Sequence, residues 1–167
     1  MTALITSTEI SSLARPCYCD AVKAAAYIME AQANDLRLAV GDALYSWLGD
    51  ETHRATPEGV LLLNGGTFTD DGCDYVFGGL KKALAYYVFA RITMGGNMEV
   101  TRIGSINRES GNSSRSDWQE RNQTARDCRA IALNEVCLAL AYARTTEALS
   151  PLVVGKRADF KVKIIGN

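Results

Sequence analysis

Apolar residues recur every three or four positions in two long stretches of the chain, and this spacing predicts two long amphipathic helices. The first is expected over residues 20–48, where Asp20 can cap the free N–H groups. The second is expected over about residues 116–148, and its first residues resemble a capping box. A shorter helix is expected over about residues 77–94. The stripe predicted to be buried on the first long helix consists of Val22, Ala26, Met29, Ala33, Leu36, Val40, Leu44 and Trp47.

Shorter patterns fill the rest of the N-terminal half. A short helix is expected to open at Ser7 and to end before Pro16, and another is expected to begin at Pro57. The composition of residues 67–74 predicts a polar loop. The bundle formed by all these helices predicts an all-α fold.

Acidic residues occur in two places where a site is conceivable. The loop over residues 67–74 holds three aspartates, but it lacks the twelve-residue spacing and closing glutamate of an EF-hand, so a solvated acidic loop is favoured over a calcium site. Glu30 and Asp35 are five residues apart, and a regular α-helix would place them on different faces. Neither set predicts a site.

Residues 97–116 interrupt the helical pattern. Alternating β-branched residues over 100–106 predict a strand or one arm of a hairpin, and residues 107–116 form a polar, loop-like stretch. The segment carries Arg102, Arg108 and Arg115, with Arg121 just beyond it. These arginines can neutralise phosphates, but they lack interleaved aromatic residues for reading bases; the alternative is a solvated loop.

The C-terminal segment, residues 151–167, is predicted to be an extended arm following a helical domain over residues 1–150. Pro151 separates it from the last helix because proline cannot continue the hydrogen-bond ladder. Apolar and basic residues alternate in the arm, and one face of the extended chain is apolar. Two pairings remain open, one with a neighbouring chain and one with residues 99–106 of the same subunit. The candidate contact residues of the arm are Phe160, Lys161, Val162, Lys163 and Ile164.

Composition and charge narrow the class of protein. Of the 167 residues, 47% are hydrophobic and 22% charged, which excludes disorder of the whole chain. No apolar run is long enough to span a bilayer. The first residues lack the basic segment and following apolar core of a Sec signal peptide, so we expect none. Residues 1–80 carry 4 − 11 = −7 and residues 81–167 carry 14 − 8 = +6. This division fits either ordinary solvated helix faces or two unlike faces that meet between copies.

Candidate catalytic chemistry is sparse. The single histidine, His53, lies in a polar connector without a recognisable partner, and no phosphate-binding, dinucleotide, nucleophile-elbow or zinc-protease motif occurs. The five cysteines form no zinc-ligand pattern and predict reduced thiols. We therefore expect no enzyme activity, no cofactor and no metal.

Three stretches, taken in order, resemble a known family. They are residues 30–45, residues 62–66 followed by 77–87, and residues 100–108. Together they are similar to the small helical head–tail connector proteins (adaptor or ring proteins) of tailed bacteriophages, in particular the variety found in crAss-like phages. The resemblance covers about residues 5–145 and excludes the arm.

The resemblance implies a structural virion protein made in the host cytoplasm. It would form a homo-oligomeric ring, commonly of twelve copies, at the capsid–tail junction. Its partners would be the portal protein and other tail or connector rings, with non-specific contact to the passing DNA and none to a membrane. For such a ring, the polar segment over residues 97–116, which carries arginines and lies between two predicted helices, is the candidate to line the inner wall or to touch an adjoining ring. The alternatives are a soluble all-α nucleic-acid-binding or regulatory protein and, less favoured, an enzyme.

Overall fold

The computed structural model describes residues 2–17, 19–95, 98–101, 104–107 and 118–153, the third and fourth ranges by their backbone alone. This part of the chain is mostly helical, which confirms the predicted class at that level. Two antiparallel hairpins are added to the helices. The helices are α1 (Ser7–Leu13), α2 (Ala21–Glu30), α3 (Arg37–Val40), α4 (Asp42–Trp47), α5 (Glu51–Arg54), α6 (Pro57–Asn64), α7 (Gly79–Gly95) and α8 (Trp118–Thr145). The strands are β1 (Gly66–Asp70), β2 (Cys73–Phe77), β3 (Met98–Thr101) and β4 (Gly104–Asn107).

Helix α7 is the centre of the fold. It packs along α8 and also against α1, α2 and α6, while α2 and α8 make little contact with each other. Buried residues therefore cover more than half of the circumference of α7: Leu80, Leu84 and Val88 lie on one side and are fully buried, and Ala85 and Ala90 extend the buried surface on either side of them. A helix with so wide an apolar surface is stable only when several neighbours cover it, as α1, α2, α6 and α8 do here.

The prediction of a single helix over residues 20–48 is wrong, because the structure divides this stretch into several helical segments. Helix α2 ends at Glu30, and a π-helical turn follows over Ala31–Leu36 before α3. Gly41 then takes a φ of 89°, which ends α3 and starts α4. A positive φ is accessible to glycine at little cost, so this residue allows the chain to change direction there.

The π-helical turn also changes which face of α2 is buried. The buried residues Ala24, Ile28, Gln32, Leu36 and Val40 are four apart throughout. In an α-helix, a residue four positions further along lies about 40° further round the helix axis. The wide π-helical turn holds about one extra residue, which offsets roughly 100° of this accumulated rotation. The predicted stripe is thus buried at Leu36, Val40 and Leu44 but exposed before them. The predicted positions that are exposed are Val22, Ala26, Met29 and Ala33.

Residues 66–77 form a β-hairpin, where the polarity of the sequence predicts a loop. Strands β1 and β2 pair from Gly66↔Phe77 to Asp70↔Cys73, and the loop between them has two residues. Those residues, Asp71 and Gly72, have φ values of 49° and 76°. Two successive positive φ values match the type I′ turn, and Asp-Gly is among its preferred sequences. The loop prediction is wrong because this turn signal outweighs the polarity of the segment.

An aromatic cluster attaches the hairpin to α8. The Phe68 ring meets Phe77 edge-on at a centroid distance of 5.6 Å and Tyr142 at 5.9 Å. On the same face Phe68 stacks on Tyr75 at 5.3 Å. Aromatic pairs in these geometries add to the stabilisation from burial.

Two glycines hold the base of the hairpin against α7. Gly65 and Gly79 have φ values of 82° and 79°, and the two backbone segments touch. A Cβ atom on Gly65 would overlap the carbonyl oxygen of Phe77, and one on Gly79 would overlap the backbone of Gly65 and Leu63. Only glycine satisfies both the backbone angle and the lack of space.

The second hairpin lies between α7 and α8, in the segment where the sequence predicts a strand or hairpin arm. Strand β3 pairs with β4 from Met98↔Asn107 to Thr101↔Gly104. Residues 108–117 lie outside the described part of the chain.

The C-terminal arm begins later than predicted. Helix α8 ends at Thr145, and Ser150–Val153 form a 3-10 turn rather than extended chain. Leu149 is fully buried and Val153 is 3% exposed, both in the main core. The first residues of the predicted arm therefore belong to the folded body, and residues 154–167 lie outside the described part.

Candidate functional site

An apolar stripe is exposed on α2 and the π-helical turn. It consists of Val22, Ala26, Met29 and Ala33, and we call it the α2 stripe. Val22 is 79% exposed and Met29 44% exposed. The spacing of four, three and four residues places these side chains on one side of a helix. An apolar helix stripe in this arrangement can bury itself only against another molecule or against residues outside the described part.

A second exposed surface lies on α8. Leu133 is 53% exposed, and Ala130, Arg126 and Arg129 are exposed beside it. These residues are three or four apart and share a face of the helix, which we call the α8 face. The α2 stripe and the α8 face thus belong to two helices that both pack on α7 and make little contact with each other.

The π-helical turn brings together the carboxylates that a regular helix would separate. Arg91 on α7 donates from Nε to Asp35 Oδ2 at 2.7 Å and lies 3.1 Å from Glu30 Oε2 through its terminal nitrogen. In a π-helix residues five apart share a face, so the expectation that Glu30 and Asp35 lie on different faces is wrong. The hydrogen bond to Asp35 raises the pKa of Arg91, so the guanidinium stays charged.

Next to this cluster is a buried tyrosine. Tyr87 is 7% exposed, and burial, with the Asp35 charge as a smaller cause, raises its pKa to about 12. Its hydroxyl is therefore neutral at physiological pH. Because Asp35 is bound to Arg91 and Tyr87 is protonated, the cluster joins α2 to α7 and offers no general base.

A buried glutamate connects α8 to the start of α7. Glu135 is 7% exposed, accepts a hydrogen bond from the Gly78 backbone N–H at 2.7 Å and pairs with Lys82 Nζ at 2.6 Å. A carboxylate at a helix N-terminus compensates unpaired N–H groups and the helix dipole. Both oxygens are engaged, so this group stabilises the fold.

A buried glutamine anchors the N-terminal segment. Gln32 accepts a hydrogen bond from Leu4 N at 2.9 Å and donates one to the Thr2 carbonyl oxygen at 3.1 Å. The side chain is fully buried, and both ends of its amide are satisfied.

The histidine and the cysteines offer no catalytic arrangement in the part of the chain the structure describes. His53 stacks on Trp47 with ring centroids 5.0 Å apart, which engages it in packing. All five cysteines are free thiols, and burial raises the pKa of Cys19, Cys128 and Cys137. Within the described ranges no group of three or more His, Cys, Asp or Glu residues could hold a metal ion. Of the helices described, none is long and apolar enough to cross a membrane.

Most residues predicted from the sequence to form a site lie outside the described part of the chain. This applies to Arg102, Arg108 and Arg115, and to the arm residues Phe160, Lys161, Val162, Lys163 and Ile164. Arg121 is described: it lies near the start of α8 and is partly buried, and its Nε has no hydrogen-bond partner among the described residues. Part of its guanidinium is therefore turned away from solvent.

Sequence reasoning misses the α2 stripe as a surface because α2 is apolar on more than one side. Its sequence, AVKAAAYIME, allows a stripe through Val22 and Met29 or another through Ala24 and Ile28. Only the second is buried. The signal is the excess of apolar positions, which one buried face does not account for.

Comparison with known proteins places the chain in a family. No curated protein and no solved structure matches it. The sequence pattern of one family, described as a family of unknown function, DUF6712, matches residues 37–144. This range is more than half of the chain and runs from α3 to the last turn of α8. It takes in the central pair α7 and α8 together with both hairpins, so the chain belongs to the DUF6712 family.

Proposed function

We propose that the protein is a structural subunit that assembles into a ring joining the capsid portal to the tail of a tailed phage, with DNA passing through the ring. The observation that carries assembly is the α2 stripe, in which Val22 and Met29 are 79% and 44% exposed at helical spacing. The assignment to a phage connector rests on the resemblance of residues 30–45, of 62–66 followed by 77–87, and of 100–108 to that class of protein.

The two exposed surfaces support contact between unlike faces. The α2 stripe contains two alanines, which allow close approach of another helix, and the flexible Met29, which can adapt to a partner surface. The α8 face presents Leu133 and Ala130 with two arginines, so it differs from the purely apolar α2 stripe. Contact between different faces of identical subunits produces a ring when the rotation closes.

The two exposed side chains of the α2 stripe can contribute a measurable part of the free energy of assembly. Fully burying an exposed valine or methionine is worth roughly 1.5–3 kcal/mol. Since Val22 is 79% exposed and Met29 44% exposed, together they can contribute about 2–3 kcal/mol per contact. Each 1.4 kcal/mol corresponds to about a tenfold change in affinity, so the stripe accounts for about 30- to 100-fold.

The segment between α7 and α8 is the proposed DNA-facing or ring-facing element. It carries the β3–β4 hairpin and, in or next to it, Arg102, Arg108, Arg115 and Arg121. Arginines that contact phosphates hold DNA without reading its sequence, as a channel requires. The proposal includes a homo-oligomer of about twelve copies, the portal and other connector rings as partners, and a place at the capsid–tail junction.

The test is a substitution in the α2 stripe with a matched control on another helix. Val22→Lys places a charge in the stripe, and Val60→Lys does the same at a valine that is 45% exposed on α6. Mass photometry of the wild type should show a ring, and Val22→Lys should raise the concentration needed for assembly by about 30-fold or more. Val60→Lys should assemble like the wild type. Circular dichroism checks that both variants are folded.

Two outcomes would overturn the proposal. A wild-type protein that stays monomeric or dimeric at all concentrations and binds DNA in a salt-sensitive way would favour the soluble nucleic-acid-binding alternative. Rings that survive Val22→Lys unchanged would exclude the α2 stripe as the contact. For the proposed channel element, deletion of residues 107–114 should leave the subunit folded but impair assembly or DNA retention.

A further inference from the structure

Strand β2 is exposed along almost its whole length. Cys73, Asp74, Tyr75 and Val76 are all exposed, and Val76 is 75% exposed. The sheet has two strands, and in the described part of the chain no third strand pairs with β2. Strand β1 differs, because Phe68 is buried under the aromatic cluster. Strand β2 thus has exposed side chains from Cys73 to Val76 and an outer edge that no described strand pairs with.

The register identifies the backbone groups that point outward from this edge. The pair Asp70↔Cys73 closes a two-residue turn and is the hydrogen-bonded kind, and pairs alternate from there. Asp74 and Val76 therefore belong to non-hydrogen-bonded pairs, and their N–H and C=O groups point away from β1. These two residues thus offer outward-pointing N–H and C=O groups along one edge, and such groups can form hydrogen bonds with a short added strand.

The charge of the hairpin is complementary to that of the C-terminal arm. Residues 66–77 contain three aspartates and no lysine or arginine, a charge of −3. Residues 154–167 contain four basic residues and one aspartate, 4 − 1 = +3. In the arm Phe160, Val162 and Ile164 alternate with Lys161 and Lys163. An extended chain with this pattern has one apolar and one basic face.

We propose that the β2 edge accepts residues 160–164 from a second copy of the chain as a third strand. The proposal rests on the proposed function, in that it requires copies to associate. The apolar residues of the arm would lie on the face of Tyr75, beside the Phe68 cluster, and the lysines on the opposite face with Asp74. Thr69 Oγ1 donates to Asp74 Oδ1 at 2.7 Å, which fixes that carboxylate on the outer face.

One accepting edge and one arm per chain suit head-to-tail linkage. Each copy donates its arm to the next and accepts one from the copy before, so the contact repeats round a closed ring. Residues 154–159 form the tether, and six extended residues reach about 20 Å from Val153. The acceptor is then the hairpin of a neighbour that is already in contact through the α2 stripe and the α8 face.

Disulfide trapping tests the proposal with the cysteine that β2 already contains. Cys73 is exposed and lies on the same face as Tyr75. Side chains on the same face of adjacent strands are close enough for a disulfide, and those on the opposite face are not. Single variants Phe160→Cys, Val162→Cys and Ile164→Cys are compared with Lys161→Cys and Lys163→Cys under a mild thiol oxidant.

At least one of the three apolar-face variants should form covalent dimers and longer ladders, at about five or more times the yield of the lysine variants. Adding Cys73→Ser should abolish the link. Ladders that persist without Cys73, equal yields at all five positions, or no ladder at any position would each overturn the proposal. A link formed only within one chain would also overturn it.

Failure of this proposal can be told apart from failure of the proposed function by measuring size in the same samples. Rings without a link to Cys73 reject the acceptor edge and leave the ring proposal standing. Monomers at every concentration reject the ring proposal and this one together. A charge exchange gives a second readout: Asp74→Lys should weaken assembly in a salt-dependent way, and Lys161→Glu with Lys163→Glu should restore it.

Discussion

The glycine at the base of the first hairpin should be far less tolerant of a methyl group than the glycine at its tip. Gly65 and Gly72 both have a positive φ, 82° and 76°, but the ψ of 177° at Gly65 lies in a region that is almost restricted to glycine, whereas Gly72 belongs to a type I′ turn. They differ in space: a Cβ atom on Gly65 would overlap the Phe77 carbonyl oxygen, and one on Gly72 would meet nothing within 4 Å. Replacing each by alanine therefore compares a glycine that has a restrictive backbone angle and no space for a Cβ atom with one that has a milder angle and open space.

The expected magnitudes follow from these two conditions. An alanine at positive φ costs about 1–2 kcal/mol, and the loss of chain freedom in the unfolded state returns about 0.4–1 kcal/mol. Gly72→Ala should therefore lower the free energy of unfolding by about 1 kcal/mol. Gly65→Ala adds an overlap between fixed backbone segments and a backbone region that alanine rarely adopts, together worth a further ~1–3 kcal/mol or more, for a total of at least about 3 kcal/mol.

Urea unfolding of the two variants and the wild type measures the difference. The experiment is done at protein concentrations where dilution leaves the midpoint unchanged, because association would stabilise the folded state. Equal slopes with a lower midpoint for Gly65→Ala would support the reasoning. Equal losses for the two variants would refute it, since the contact between the Gly65 and Gly79 segments would then carry no cost.

Three further predictions concern the pH dependence, the N-terminal anchor and the C-terminal boundary. The pKa of Tyr87 is about 12 in the folded protein against an ordinary value of 10, and this difference corresponds to roughly 2–3 kcal/mol in the free energy of unfolding. This contribution should be constant below pH 10 and be lost as the pH rises from 10 to 12. Tyr87→Phe should remove that part of the pH dependence in alkaline unfolding curves. Gln32→Ala should cost about 1–3 kcal/mol and speed hydrogen exchange at the Leu4 N–H, whereas Gln123→Ala on the exposed face of α8 should cost under about 0.5 kcal/mol. Truncation after Val153 should leave the free energy of unfolding within about 0.5 kcal/mol of the full chain, whereas truncation after Ser150 removes a buried valine and should cost about 1.5–3 kcal/mol.

Each of these has a contrary result. Identical alkaline curves for Tyr87→Phe and wild type would mean that the pKa of Tyr87 is the same in the folded and the unfolded protein. Unchanged exchange at Leu4 in Gln32→Ala would show that the N-terminal segment is held by its apolar contacts alone. Two truncations of equal stability would place the end of the folded body before Val153.

Hydrophobic spacing is sufficient to predict the helices that need no unusual backbone. The third helix is expected over about residues 77–94 and is observed over Gly79–Gly95, since glycines mark both of its ends. The last long helix is observed over Trp118–Thr145, close to the expected range. In both, hydrophobic spacing and terminal signals agree, and local propensity is sufficient to locate the element.

The wrong predictions occur where one residue changes the geometry of many. No propensity rule signals that the helix widens at Ala31, so the spacing alone assigns the wrong face of α2 to the core. The polar residues around the Asp71-Gly72 turn conceal a hairpin that the turn itself encodes. The exposed α2 stripe could not be located, because an apolar position in a sequence does not reveal which molecule covers it.

The face that helix α2 presents depends on the number of residues in the π-helical turn at Ala31–Leu36, more than on which residues these are. Deleting one residue there would let the helix close to the regular α form and would rotate everything N-terminal to it by about 100°. The side chains of Val22 and Met29 would then point to a different side of the helix, although neither residue is substituted. A relative with a single-residue gap in this turn should therefore present a different face of its N-terminal helix. Comparison of substitutions alone would not reveal this difference.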